Sequence, residues 1–160
     1  MIFFSSMSYF NESDIKIKQT LDLFYSPWSR LMEVLLNGNI FPVFQSWGFD
    51  LYETYTHRKG SYNSENYEYD IIAKSQKEII VIEVRTKFYK KDVVEFVKKM
   101  NKTRKYLRIK DHEKIFGAIA YQDSNIRSEV YAQNQKLFVI RATGDSAAII
   151  NNPDFVPGTF

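Results

Sequence analysis

The sequence contains no cysteine among its 160 residues. Disulfides, thiolate zinc sites, iron–sulfur clusters and a cysteine nucleophile are therefore excluded. Histidine is nearly as scarce, because His57 and His112 are the only two and neither has metal-ligand spacing to a second histidine. We expect both histidines to lie in surface loops.

Other features that would point to particular functions are also absent. The longest uncharged stretch, residues 34–49, is interrupted by polar residues and by Pro42, so it is too short and too polar to span a bilayer. The first six residues have no basic segment, so we expect no signal peptide and a cytoplasmic location without membrane contact. Gly117 and Gly144 are isolated, which leaves no glycine-rich loop to cradle a phosphate.

The composition is that of one folded domain. Apolar residues make up 44% of the chain and charged residues 26%, and aromatic residues are frequent, with 13 phenylalanines, 11 tyrosines and 2 tryptophans. We predict an N-terminal helical extension over residues 1–25, with its helix at about 11–25. A single domain then covers residues 26–160.

Positive charge is concentrated in one segment. Residues 85–114 carry twelve lysines and arginines against four acidic residues, whereas the rest of the chain is net negative and the total charge is only +3. A basic block of this kind is typical of a surface that contacts phosphates, although a solvated helix face would have the same composition.

Hydrophobic periodicity predicts an α/β protein with a mixed central sheet flanked by helices. Ser26 and Pro27 are typical of a helix start, and Asp92 is expected to cap a second helix. The predicted elements, in chain order, are a helix from Ser26-Pro27, a loop over 57–66, strands over 67–74 and 79–88, a helix over 93–109, a strand over 115–121, a helix over 125–135, and a hairpin of 137–142 and 146–150.

The turn between the first two predicted strands sets their register. A two-residue or a four-residue connection around Gln76-Lys77 places Asp70 directly opposite Glu83, with Cβ atoms about 4.5–5.5 Å apart. Two carboxylates at that distance repel each other, so a cation is expected between them. Arg85 and Lys87 lie on the same face of the second strand as Glu83.

Two interpretations of this cluster follow from the residues alone. In the first, the cluster is structural, and Asp70 pairs with Arg85 while Glu83 pairs with Lys87. In the second, the two carboxylates hold a hard divalent cation beside a basic group, an arrangement that suits phosphate chemistry. The charge pattern does not choose between them.

Residues 69–73, Tyr-Asp-Ile-Ile-Ala, and residues 81–87, Val-Ile-Glu-Val-Arg-Thr-Lys, resemble the two-part core motif of the PD-(D/E)xK, or restriction-endonuclease-like, nuclease superfamily. Stretches at residues 28–35, 117–120 and 137–146 are similar to an uncharacterised bacterial subgroup of it. The resemblance covers residues 26–158. It implies a restriction-endonuclease-like fold and metal-dependent hydrolysis of phosphodiester bonds in DNA or RNA, with DNA favoured.

The same resemblance assigns roles to individual residues. It implies that Asp70 and Glu83 hold Mg²⁺ or Mn²⁺, that the carbonyl of Val84 is a further ligand, and that Glu33 is an additional acidic residue of the metal site. Arg85 stands where the superfamily motif has lysine. Arginine is always protonated and cannot act as a general base, but it can hold a phosphate. Lys87 lies on the same face about 6.6 Å further along the strand.

The basic block then becomes the predicted nucleic-acid surface. Helical spacing places its cationic side chains on two adjacent stripes. The residues expected to contact the phosphate backbone are Lys98, Lys102, Arg104, Lys105 and Arg108.

Three functions stay open on the sequence alone. The chain is a metal-dependent nuclease in which Asp70, Glu83, Arg85 and Lys87 form the catalytic set, a catalytically degenerate nucleic-acid-binding protein of the same fold, or a protein-interaction module with a structural charge cluster. A homodimer also stays open, because the aromatic-rich N-terminal segment could pack on a second copy.

Overall fold

The first helix begins as the sequence predicts. The Ser26 hydroxyl accepts a hydrogen bond from the backbone N–H of Ser29 at 3.2 Å, and Pro27 occupies the first helical position, where no N–H is needed. The helix ends before Gly38, whose φ of +83° is in the left-handed region that glycine enters at little cost.

The computed structural model describes residues 26–160, so the predicted N-terminal extension over 1–25 and its helix lie outside the described residues. Four helices are described, α1 to α4, which are Pro27–Leu36, Ile40–Gln45, Lys90–Tyr106 and Ile126–Asn134. Six strands are described, β1 to β6, which are Glu53–Tyr62, Glu65–Lys74, Glu78–Lys87, Lys114–Asp123, Phe138–Thr143 and Ser146–Ile149.

The strands form one mixed sheet in the order β1-β2-β3-β4-β5-β6. The pairs β3–β4 and β4–β5 are parallel, and β1–β2, β2–β3 and β5–β6 are antiparallel. Helices α1 and α2 cover one face of the sheet, and α3 and α4 cover the other. The predicted α/β class with a mixed sheet flanked by helices is therefore confirmed.

The run Ile79-Ile80-Val81-Ile82 belongs to β3, a central strand, and each of its side chains is at most 4% exposed. Ile80 and Ile82 pack under α1 and α2, whereas Ile79 and Val81 pack under α3. A strand buried on both faces has no reason to alternate, and this explains its continuous apolar sequence. Within residues 26–160, no helix is both long and apolar enough to cross a membrane.

Three element predictions were wrong. Residues 57–66 are not a loop: β1 runs to Tyr62 and turns through Asn63 and Ser64, which have φ values of +49° and +68°. Strand β1 is an edge strand and is mostly exposed. Its polar composition therefore contains no hydrophobic pattern from which a strand could be predicted. Helix α2 was also missed. Its proline, Pro42, is the third residue of the helix. A backbone N–H at that position would have no partner within the helix, so the proline does not disrupt it.

The third correction concerns α3, which begins at Lys90 rather than at Val93 and ends at Tyr106 rather than at Ile109. Asp92 is therefore the third residue of the helix and not its cap. Its Oδ2 accepts a hydrogen bond from the backbone N–H of Tyr89 at 2.8 Å. The carboxylate also faces the helix N-terminus, where negative charge is favourable.

Gly117 of β4 lies close to side chains of the neighbouring elements. A Cβ at this position would lie 2.7 Å from Leu137 Cδ2 and 3.3 Å from Met100 Cε. Because those side chains are fully buried, we expect Gly117→Ala to lower the free energy of unfolding by about 1–3 kcal/mol. Urea denaturation would measure the change. Gln122→Ala, at an exposed position of the same strand, is the control and should stay within about 0.5 kcal/mol of the wild type.

Candidate functional site

The antiparallel pairing of β2 and β3 ends where the predicted carboxylates begin. Paired residues run from Lys74↔Ile79 to Ile71↔Ile82, which is the predicted register. Asp70 and Glu83 come next, but the two strands no longer pair there. Instead, Asp70 Oδ2 accepts a hydrogen bond from the backbone N–H of Val84 at 2.9 Å. The Asp70 carboxylate therefore takes the place of a backbone carbonyl as the acceptor for the Val84 N–H.

The hairpin of β1 and β2 is also irregular at this point. Tyr69 and Ile72 both pack in the core under α3 although they are three residues apart, so regular alternation is interrupted at Asp70. On β1, His57 falls opposite Asp70 between two paired positions and has a φ of +51°. His57 is exposed as predicted, but it lies in a strand and not in a loop. A left-handed, non-glycine residue in a strand is uncommon, although histidine enters this region more often than most residues.

Glu83 is the buried charge of the site, with only 8% of its surface exposed. Its Oε2 is 3.0 Å from Nη2 of Arg85, and its Oε1 is 3.1 Å from Nζ of Lys99. Lys99 comes from α3, and sequence reasoning missed it. The available signal was its position three residues after the core residue Phe96, on the edge of the apolar stripe of α3.

The amine and the backbone carbonyl of Lys99 both make defined contacts. Its Nζ lies 5.0 Å from the centroid of the Tyr69 ring and donates a hydrogen bond to the carbonyl of Glu68 at 2.9 Å. Beneath it, the hydroxyl of Thr103 bonds to the Lys99 carbonyl at 2.9 Å and lies 2.9 Å from the hydroxyl of Tyr69. Burial raises the pKa of Tyr69 to about 12, so its ring remains neutral at physiological pH.

The ion pairs differ from those predicted for a structural cluster. Arg85 pairs with Glu83 rather than with Asp70, and its second nitrogen lies 3.9 Å from Asp92. Lys87 does not pair with Glu83. Its Nζ lies 3.7 Å from Asp123, and both of these side chains are largely exposed. Lys87 is thus the outermost of the predicted catalytic residues, although it lines the same cleft as Asp70 and Glu83.

Burial raises the pKa of the Asp70 carboxyl above its ordinary value. The hydrogen bond from Val84 acts in the opposite direction, the negative charge of Glu83 raises the pKa further, and the positive charges of Lys99 and Arg85 lower it. Ionised Asp70 is therefore less favourable in the folded protein than in water. An additional cation beside the two carboxylates would relieve this cost.

The site opens into a cleft of about 460 Å³. Trp28 reaches it from α1 and Lys99 from α3, although these helices cover opposite faces of the sheet, because β2 and β3 separate here. The indole Nε1 of Trp28 donates a hydrogen bond to the carbonyl of Val84 at 2.9 Å, and its ring lies 5.6 Å from that of His57. Sequence reasoning missed Trp28 as a site residue, since nothing local connects it with β3.

The residues that could hold a divalent cation are Asp70 and Glu83. The carbonyl oxygen of Val84 could be a further ligand through its second lone pair. Two carboxylates with several waters are a sufficient ligand set for Mg²⁺. Asp70 lines the cleft, and among residues 26–160 its hydrogen bond to the Val84 N–H engages Oδ2 and not Oδ1. The donor set therefore fits a hard divalent cation, although Glu83 would have to exchange one of its present partners.

Glu33 is not brought to this pair. Its side chain is exposed on α1 and lines a separate cleft of about 850 Å³ with Arg30 and Asp145. The part of the chain that the structure describes has no group of three acidic, histidine or cysteine side chains that could hold a metal. The predicted three-carboxylate metal set is thus not assembled.

The predicted nucleic-acid residues divide into two groups. Lys98, Lys102 and Lys105 are exposed on α3. The amine of Lys98 lies 3.4 Å from a carboxylate oxygen of Glu95, and the amine of Lys102 lies 3.4 Å from one of Glu65. Arg108 is exposed as well, but it follows the end of α3, and its guanidinium lies 5.5 Å from the centroid of the Tyr62 ring. A second cleft of about 440 Å³ connects the lysines with Glu83 and Lys99.

Arg104 has a different role from the one predicted. Its guanidinium donates hydrogen bonds to the backbone carbonyls of Lys110 at 2.7 Å, Glu113 at 2.8 Å and Phe160 at 3.1 Å. The side chain is half-buried and its donors are directed at the protein, so it ties α3 to the following loop and to the last residues of the chain. These bonds explain why a charged side chain is half-buried at this position of α3.

Comparison with family models, with curated proteins and with solved structures finds no match to this chain.

We expect Asp70→Asn to stabilise the protein at pH 8 in EDTA. Asparagine keeps an acceptor for the Val84 N–H, and it removes a charge whose pKa is raised in the folded state. The folded protein binds the carboxyl proton of Asp70 more tightly than the unfolded chain does. Ionisation of Asp70 therefore lowers the free energy of unfolding only at pH values above the unfolded-state pKa. The gain should be on the order of 1 kcal/mol, about 2–4 °C in Tm, and should vanish as the pH falls through the acidic range. Loss of stability at pH 8 would contradict this account, and Glu95→Gln, at an exposed carboxylate, is the control.

We expect Arg104→Met to lower the free energy of unfolding by about 2 kcal/mol, because three carbonyls lose a charged donor. Chemical denaturation would measure it. Arg108→Met removes the same charge from an exposed side chain and should change stability by less than about 0.5 kcal/mol. Equal effects of the two substitutions would show that the carbonyl contacts contribute nothing.

Proposed function

We propose that the chain is a metal-dependent phosphodiesterase of the restriction-endonuclease-like type that acts on nucleic acid, with DNA favoured over RNA. The observation that supports this most is the contact of 3.1 Å between Lys99 Nζ and Glu83 Oε1, beside Asp70. A lysine next to the glutamate is what the resemblance requires and what position 85 lacks. In this chain α3 supplies it from another element.

In the proposed site, Asp70 and Glu83 would hold Mg²⁺ or Mn²⁺. When bound, the cation would neutralise charge on the phosphate and lower the pKa of a coordinated water. Asp70 is suited to this because it lines the cleft and its Oδ2 is fixed by the Val84 N–H, which leaves Oδ1 for a cation. The same carboxylate is costly in the folded protein without a further cation nearby, a cost typical of functional groups.

The two cationic side chains at Glu83 have different chemical capacities. Lys99 is a compact amine that can exchange a proton and orient a water molecule, whereas the guanidinium of Arg85 stays protonated. Arg85 would therefore bind a phosphate oxygen, for which its planar fork is suited. Lys87, at the outer end of the cleft, would add positive charge along the path of the substrate.

The adjoining cleft offers a route for the rest of the nucleic acid. It leads from Glu83 and Lys99 to the exposed amines of Lys98 and Lys102, and Tyr67 lines one side. The glutamate partners of these lysines are themselves exposed, so exchange with a phosphate would cost little. Lys105 and Arg108 would extend the basic surface beyond it.

A second candidate is a nucleic-acid-binding protein of the same fold without hydrolytic activity. The observation that favours it is the pairing of both Glu83 oxygens with cationic side chains, which would oppose metal binding. Such a protein should bind DNA in EDTA with strong salt dependence and should bind no Mn²⁺. A structural charge cluster in a protein-interaction module predicts neither property.

The test is cleavage of labelled single-stranded DNA, duplex DNA and RNA in the presence of Mg²⁺, Mn²⁺ or EDTA. We expect metal-dependent cleavage that Glu83→Gln abolishes and that Lys99→Met reduces by at least about 10²-fold, the scale of positioned acid–base groups. Lys77→Met is the matched control, because Lys77 is an exposed lysine at the opposite end of β3.

The outcomes distinguish the candidates. Cleavage that persists at the wild-type rate in separately purified preparations of Glu83→Gln would overturn the proposed site. Absence of cleavage on all substrates, together with salt-dependent DNA binding, would favour the second candidate. Loss of cleavage in Glu83→Gln but not in Lys99→Met would keep the metal site and remove Lys99 from the reaction.

A further inference from the structure

Arg85 occupies an oxygen that a bound cation would need. Its Nη2 lies 3.0 Å from Oε2 of Glu83, the distance of a charge-assisted hydrogen bond, and the carboxylate is nearly buried. The other oxygen, Oε1, is held by Lys99 at 3.1 Å. A divalent cation that binds Glu83 must therefore compete with at least one of these two side chains.

Of the two competitors, Arg85 has an alternative partner. Its Nη1 lies 3.9 Å from Oδ1 of Asp92, on the first turn of α3. The hydrogen bond from the Tyr89 N–H engages Oδ2 of Asp92 and not Oδ1, so the first oxygen is available without loss of the bond at the start of α3. Arg85 is also the more exposed partner, with 43% of its side chain accessible, against 10% for Glu83.

Lys99 lacks this freedom. Its amine lies 5.0 Å from the centroid of the Tyr69 ring and donates to the carbonyl of Glu68 as well as to Glu83. A shift away from Glu83 would leave the Lys99 amine with the Glu68 carbonyl as its remaining hydrogen-bond acceptor. The side chain that can yield to a cation is therefore Arg85.

The charges of the site agree with such an exchange. Asp70, Glu83 and Asp92 face two cationic side chains, Arg85 and Lys99, so the cluster carries one excess negative charge when all are ionised. A divalent cation would change this to one excess positive charge. The guanidinium is then repelled from Glu83 and attracted to Asp92, which remains free of the metal.

We propose that Arg85 and Asp92 form a counter-ion switch at Glu83: Arg85 competes with the divalent cation for Oε2 of Glu83, and Asp92 receives the guanidinium when the cation binds. This inference rests on the proposed metal site at Asp70 and Glu83. It explains a role for arginine at a position where lysine is expected. The two terminal nitrogens of a guanidinium can donate to two carboxylates at once. A lysine has one ammonium nitrogen on a shorter side chain and cannot bridge them in the same way.

The test measures Mn²⁺ affinity directly, by the free-ion signal in electron paramagnetic resonance, with no substrate present. We expect Arg85→Gln to bind Mn²⁺ on the order of tenfold more tightly than the wild type, because the competitor is gone. We expect Asp92→Asn to bind it several-fold more weakly, because Arg85 loses its alternative partner and stays on Glu83. Asparagine retains an acceptor for the Tyr89 N–H, so α3 keeps its first turn.

The double variant separates the switch from simple charge effects. In the Arg85→Gln background, Asp92→Asn should change Mn²⁺ affinity much less than it does when Arg85 is present. Lys77→Gln removes a positive charge just before β3, at the end of that strand away from the site, and Glu95→Gln removes a negative charge one turn further along α3 than Asp92. Both should shift affinity by less than about twofold.

Each outcome bears on a separate claim. If the wild type and all variants fail to bind Mn²⁺, the proposed metal site is overturned and this inference falls with it. If Mn²⁺ binds but Arg85→Gln leaves the affinity unchanged or weakens it, the metal site stands and the switch is overturned. If Arg85→Gln does not fold, Asp92→Asn decides alone, because unchanged or tighter Mn²⁺ binding by that variant contradicts the switch.

Discussion

The carboxylate of Glu83 determines the arrangement of the groups around it. A buried charge must be paired, and removal of one partner of such a pair typically costs several kcal/mol. Lys99 of α3 and Arg85 of β3 provide the partners, so the ion pairs bind α3 to the sheet at the point where β2 leaves β3. The separation of the strands, the orientation of α3 and the cleft itself are all consistent with this single buried charge.

The site has a cost that the rest of the fold must offset. Asp70 and Glu83 lie side by side in a poorly solvated place, and burial raises the pKa of Asp70. Two continuous apolar cores, one under α1 and α2 and one under α3 and α4, supply the stability. Carboxylates that a fold must tolerate, rather than use for stability, are characteristic of sites that bind a further charge.

The sequence predicts the parts of this structure that depend on local rules. The start of α1, the register of β2 with β3 and the buried β3 all follow from caps, turn length and hydrophobic pattern. The prediction fails where a distant contact decides. Strand β1 is polar because only its inner edge is paired, and Arg104 looks like a surface cation because its three carbonyl partners are not evident from the sequence.

Lys99 illustrates the limit of a linear motif most directly. Glu83 requires a cation about 3 Å from its oxygens, but nothing requires that cation to come from two residues along the same strand. Because β2 and β3 diverge at Asp70, the carboxylate is accessible from α3, and a lysine sixteen residues later reaches it with its amine over the Tyr69 ring. With the amine supplied from α3, position 85 is free to carry arginine, whose second nitrogen lies nearest Asp92. The proposed site therefore takes its amine from α3 instead of from position 85 of β3.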